Sequence, residues 1–131
     1  MGLPVIKSYD MPDSTALPRS RPFWSTDPGQ AALLVHDMQS HFVRAFPAGH
    51  SPVVQLVENI AALRELAGTL GIPVVFSAEP AAQPPARRGL VADFSAEEHS
   101  MALRWAARSA MVRTTDGLLR DLLLGRVRHG A

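Results

Sequence analysis

The 131-residue sequence contains no cysteine. Disulfides, thiolate metal sites and a cysteine nucleophile are therefore excluded within it. Lysine is nearly absent: of thirteen basic residues only Lys7 is one, so lysine chemistry has a single candidate. Net charge is small, at +1, which argues against a strongly electrostatic partner such as nucleic acid or a membrane surface. No apolar run approaches about 18 residues, so no transmembrane helix is expected. The first residues lack the charged start, apolar stretch and small-residue cleavage site of a signal peptide. A soluble, cytoplasmic domain is the resulting expectation. The five histidines show no H-x-x-x-H or H-E-x-x-H spacing, and neither a Gly-rich phosphate loop nor a G-x-S-x-G motif occurs. No metal site and no cofactor is therefore expected.

What is present is apolar. Hydrophobic residues make up 47% of the chain, enough for a core and too many for a disordered segment. At roughly 100–200 residues per domain, the length fits one domain. Residues 1–30 hold Pro4, Pro12, Pro18, Pro22 and Pro28, so they read as an irregular arm. That arm also carries Ile6, Tyr9, Met11, Phe23 and Trp24, which predicts that it wraps a folded body formed by residues 31–131.

Within that body, Ala31-Ala32-Leu33-Leu34-Val35 is a short apolar run ending at His36-Asp37. It predicts a strand buried on both faces, as in a parallel sheet. From residue 51 to 70 the period changes. Val53, Leu56, Val57, Ile60, Leu63, Ala67 and Leu70 fall at steps of three and four, one face of an amphipathic helix. Ser51 can cap its start with Pro52 in the first turn, and Gly71 and Pro73 end it. Residues 72–77 predict a second buried strand, which completes a βαβ unit. A Pro- and Ala-rich loop follows over 79–91. Ser95 and Glu98 form a capping box for a helix over about 95–109. Residues 110–113 could be a third strand. Thr114 or Thr115 can cap a last helix through Leu124, ended by Gly125.

Asp37 is the most informative residue. It stands at the carboxyl end of the first strand, where open α/β sheets bind ligands. A carboxyl placed after buried aliphatics loses hydration, and that favours the neutral acid a proton donor needs. The alternative is a structural cap of the following turn. His36 is adjacent and should point to the opposite face of the strand. Phe42 could line a pocket or pack in the core. Glu79 follows the second strand at the same end of the sheet, so two carboxylates could divide acid and base roles, or both could be solvated. Arg87 or Arg88, before Gly89, could hold a substrate carboxylate in a bidentate pair or remain a solvated loop charge. Glu97-Glu98-His99 opens a helix and reads better as capping than as ligation.

The heptapeptide Leu33-Leu34-Val35-His36-Asp37-Met38-Gln39 resembles the first strand of the isochorismatase family. In the arm, Tyr9-Asp10-Met11-Pro12, Leu17-Pro18, Trp24 and Asp27-Pro28 resemble isochorismatases of siderophore and phenazine pathways. Residues 74–78, Arg88-Gly89-Leu90, Ala92-Asp93-Phe94-Ser95, His99 and Thr114-Thr115-Asp116 are similar as well. The resemblance implies hydrolysis of the vinyl ether of isochorismate or its 2-amino-2-deoxy analogue, releasing pyruvate. It implies Asp37 as the acid, Phe42 and Arg88 as substrate contacts, and Glu79 where the family usually carries glutamine. A carboxylate there would repel a dianionic substrate unless protonated.

The fold implied is a truncated isochorismatase-like three-layer α/β/α arrangement with a mainly parallel sheet. The truncation is an internal deletion near 92–94, where two Asp-Phe sites of the family meet. Roughly eighty residues are missing relative to the family, close to three βα units of about 30 residues each. In the family that segment carries the catalytic lysine, and Lys7 lies in the wrong segment to replace it. Two readings follow: a hydrolase using Asp37, or a non-catalytic remnant acting at most as an interaction module. Strands left without neighbours predict a marginal fold or an assembly, a homo-oligomer included.

Overall fold

A computed structural model describes residues 3–22, 25–78 and 95–129. It is an α/β structure. A 3-10 turn at Pro28–Gln30 leads into β1 (Leu33–His36), followed by α1 (Ser40–Val43), α2 (Val53–Leu70) and β2 (Val74–Ser77). After residue 94 come α3 (Ala96–Ala106) and α4 (Thr115–His129). β1 and β2 are parallel, with Leu33 opposite Val74 and His36 opposite Ser77. Glu79, Arg87, Arg88, Phe23, Trp24 and the 92–94 junction lie outside the described residues.

The local signals explain most boundaries. Asp27 caps the 3-10 turn through the Gly29 N–H. Gly71 takes a left-handed φ of 72° and ends α2, with its N–H on the Ala67 carbonyl. Ser95 Oγ accepts the Glu98 N–H at 3.2 Å and starts α3. Thr114 Oγ1 accepts the Gly117 N–H at 3.1 Å and starts α4.

Four expectations need correction. Ser51 does not cap α2: Pro52 holds the cap position, and Ser51 Oγ is buried without a partner among the described residues. The Ser51 carbonyl instead receives Ser8 Oγ at 2.6 Å and the Tyr9 N–H at 3.3 Å. Residues 110–113 form no strand. The Val112 N–H goes to Ser20 Oγ at 2.9 Å and the Arg21 N–H to the Ala107 carbonyl at 2.8 Å, so this stretch is tied to the arm and not to a sheet. Gly125 does not end α4, which runs on to His129. Gly in a helix interior costs only about 0.5–1 kcal/mol relative to Ala, too little to force a stop.

The fourth concerns burial of the strands. α2 and α4 meet the sheet where Ala67, Ile72 and Leu122 form a small cluster with Leu33, Val74 and Leu118. Leu34 and Val75, which point the other way, are 59% and 51% exposed. The strands are thus covered by helices on one face, and both faces are not buried. No large side chain among the described residues is fully buried.

Candidate functional site

The parallel pairing brings the carboxyl ends of β1 and β2 together. At that end the backbone leaves β1 through Asp37, whose N–H bonds to the Ser77 carbonyl at 3.1 Å. Asp37 has a left-handed φ of 52°. Asp is one of the few non-glycine residues that tolerate this region. Its carboxyl is buried, and among the described residues Oδ1 has no hydrogen-bond partner. Such an oxygen costs about 1–3 kcal/mol when left unsatisfied.

The left-handed turn corrects one expectation. In a continuous strand His36 and Asp37 would face opposite ways. Here the turn folds the carboxyl back, and His36 Nε2 lies 3.2 Å from Asp37 Oδ2. The other ring nitrogen, Nδ1, is 2.5 Å from Ser77 Oγ on β2.

Asp37 lines a cavity of about 390 Å³ with mostly apolar walls. Phe42, from α1, lines the same cavity. α2 contributes Leu56, Ile60 and Leu63, and the arm contributes Tyr9 and Met11. Ile6 anchors that arm: it is buried, and its N–H bonds to the Ala45 carbonyl at 2.8 Å. Of the four candidate site residues, Asp37 and Phe42 therefore share one cavity. Glu79 and Arg88 are outside the described residues.

The wall also holds the polar residues Tyr9, Asn59, His99 and Thr115, which no local spacing marks as site residues. Tyr9 Oη lies 3.4 Å from His99 Nδ1, and the two rings meet edge to face at 5.9 Å. His99 thus reaches the cavity, beyond the helix-opening role its position suggested. A second cavity of about 370 Å³ adjoins it, sharing Met11, Asn59, His99 and Thr115 and reaching Arg113 and Arg120. Among the described residues no group of three or more His, Asp or Glu could hold a metal ion. No described helix is long and apolar enough to cross a membrane.

No protein-family model matches the chain. Curated relatives do. Over 94 residues it is 47% identical to the isochorismatase of Bacillus subtilis (strain 168), covering 72% of this chain and 30% of that protein. It is 41% identical over 93 residues to the phenazine biosynthesis protein PhzD of Pseudomonas fluorescens, covering 71% of this chain and 44% of that one. It is 37% identical over 93 residues to enterobactin synthase component B of Escherichia coli (strain K12), covering 71% and 33%. The chain therefore spans less than half the length of these relatives. A strand ending in His36-Asp37, the α/β order around it and identities of 37–47% agree: over the shared stretch, the chain belongs to the isochorismatase family.

Proposed function

We propose that the chain hydrolyses the vinyl ether of isochorismate, or of 2-amino-2-deoxyisochorismate, with Asp37 as general acid. The observation that carries this reading is a buried carboxyl in the wall of a mostly apolar cavity, at the carboxyl end of a parallel strand. The Asp37 carboxyl gives its proton to the terminal methylene carbon of the enol ether. The adjacent carbon becomes an oxocarbenium ion, and water adds to it. The resulting hemiketal collapses, its ring C–O–C link breaks on the pyruvyl side, and pyruvate and a cyclohexadiene alcohol leave. One water is consumed, and the proton it loses balances the one Asp37 gave. Acid and water suffice, so no cofactor enters the reaction.

Phe42 and the α2 aliphatics supply an apolar wall for the substrate ring. Arg88 is proposed as the partner of a substrate carboxylate, and Glu79 as a neighbour that must be protonated to admit a dianion. The relatives named as isochorismatase and as a phenazine biosynthesis protein support this substrate class.

The second reading is a remnant that binds a partner without catalysis. The uncovered Leu34 and Val75 favour it. Pyruvate release from isochorismate separates the two. The native chain should exceed Asp37→Asn by about 100-fold or more, the usual worth of a general acid. Equal rates for the two proteins would refute catalysis and leave the remnant.

A further inference from the structure

A buried acid must regain its proton after every turnover, and His36 sits where that proton would enter. The two side chains differ sharply in exposure: 58% for His36 and 6% for Asp37. Imidazole carries two nitrogens, and a proton taken on one can be released from the other. In this ring Nε2 meets Asp37 Oδ2 at 3.2 Å, while Nδ1 meets Ser77 Oγ at 2.5 Å. Ser77 is the register partner of His36 across the sheet, so β1–β2 pairing itself fixes the ring. The contact exists because Asp37 leaves the strand at φ 52°.

We propose that His36 is a positioning residue that conducts protons between solvent and the Asp37 carboxyl, with Ser77 holding the imidazole in place. The proposal rests on the reading of Asp37 as general acid. After Asp37 has protonated substrate it is a carboxylate. Neutral His36 passes its Nε2 proton to Oδ2 while Nδ1 takes one from the Ser77 hydroxyl, which water refills, and the ring regains its starting tautomer by exchange with solvent. The proton lost by the attacking water leaves to solvent, so the cycle balances.

The test has two readouts on the full chain. Carbon-13 relaxation dispersion at the Asp37 carboxyl carbon reads how fast that group exchanges its proton with water. His36→Gln keeps an amide donor for Oδ2 but cannot relay. It should slow the exchange about tenfold, and added imidazole should restore it. A purely structural contact would leave the rate unmoved, and equal rates in native and His36→Gln would overturn the relay. In the pyruvate assay His36→Gln should lower the steady-state rate about tenfold, leave the first turnover unchanged, and respond to imidazole. If the native chain releases no pyruvate but carboxyl exchange still depends on His36, the hydrolase reading fails and the relay stands. If pyruvate release depends on Asp37 and neither readout depends on His36, the relay fails and the hydrolase reading stands. Should His36→Gln lose its circular dichroism, Ser77→Ala decides: slower exchange supports the relay, and an unchanged rate overturns it.

Discussion

Asp37 combines two energetic costs at one position. A left-handed φ costs a non-glycine residue about 1–2 kcal/mol, less for Asp and Asn. A buried carboxyl oxygen without a partner adds about 1–3 kcal/mol. Costs concentrated at one residue are what a stability–activity trade-off predicts for a site residue. Asn tolerates the same φ and is the isostere of the protonated carboxyl, so Asp37→Asn should change stability by less than about 1 kcal/mol in urea unfolding while pyruvate release falls. A larger drop would mean that the contact with His36 outweighs the burial. The position of Asp37 was legible, because an aliphatic run ending in a carboxylate marks a strand end. Its contact with His36 was not. Alternation sends neighbours apart, and one residue's φ of 52° is a property that side-chain pattern does not encode. The Tyr9–His99 pair was hidden for another reason: it joins residues 90 apart, and no local spacing reports such a contact.

At the scale of elements, short-range signals were the readable ones. Ser95, Gly71 and the Thr114–Gly117 cap act within four residues, and each appears where the sequence places it. The stretch at 110–113 shows the limit. Its apolar residues suit a strand, but whether they pair depends on what lies alongside, and there Ser20 of the arm takes the Val112 N–H. The two glycines at the end of α2 give a paired test of this logic. Gly68 lies inside the helix, and a Cβ added there meets nothing within 4 Å. Gly68→Ala should stabilise the chain by about 0.5–1 kcal/mol, since Ala loses less entropy on entering a helix. Gly71 is equally uncrowded, but its φ is 72°. Gly71→Ala should destabilise by about 1 kcal/mol through backbone strain alone. Thermal unfolding of the two variants checks both signs. Like signs would mean that space, not backbone conformation, governs this helix end.

For the molecule as a whole, the balance of covered and uncovered apolar surface decides behaviour. The buried cluster comprises Ala67, Ile72 and Leu122, with no fully buried large side chain among the described residues. Against this stand Leu34, Val75, Phe76 and Trp105, each more than half exposed. Arg64 stacks over the Phe76 ring at 5.3 Å and partly covers it from α2. Leu34 and Val75 are register partners on the other face, where the helices do not reach. An exposed pair of apolar residues on the face of the described β1–β2 sheet invites association. The resemblance led to the same expectation by another route, because an internal deletion would leave strands without neighbours. Periodicity alone pointed the opposite way, since it reads a short aliphatic run as buried on both sides. Light scattering of the native chain should therefore show mass rising with concentration. Leu34→Thr with Val75→Thr keeps residues suited to a strand and removes the apolar pair. That double variant should shift toward monomer, bind less of a hydrophobic dye and retain its circular dichroism. A native chain that stays a monodisperse monomer and unfolds in one cooperative step would refute the argument. It would mean that 59% and 51% exposure at Leu34 and Val75 is tolerated without association.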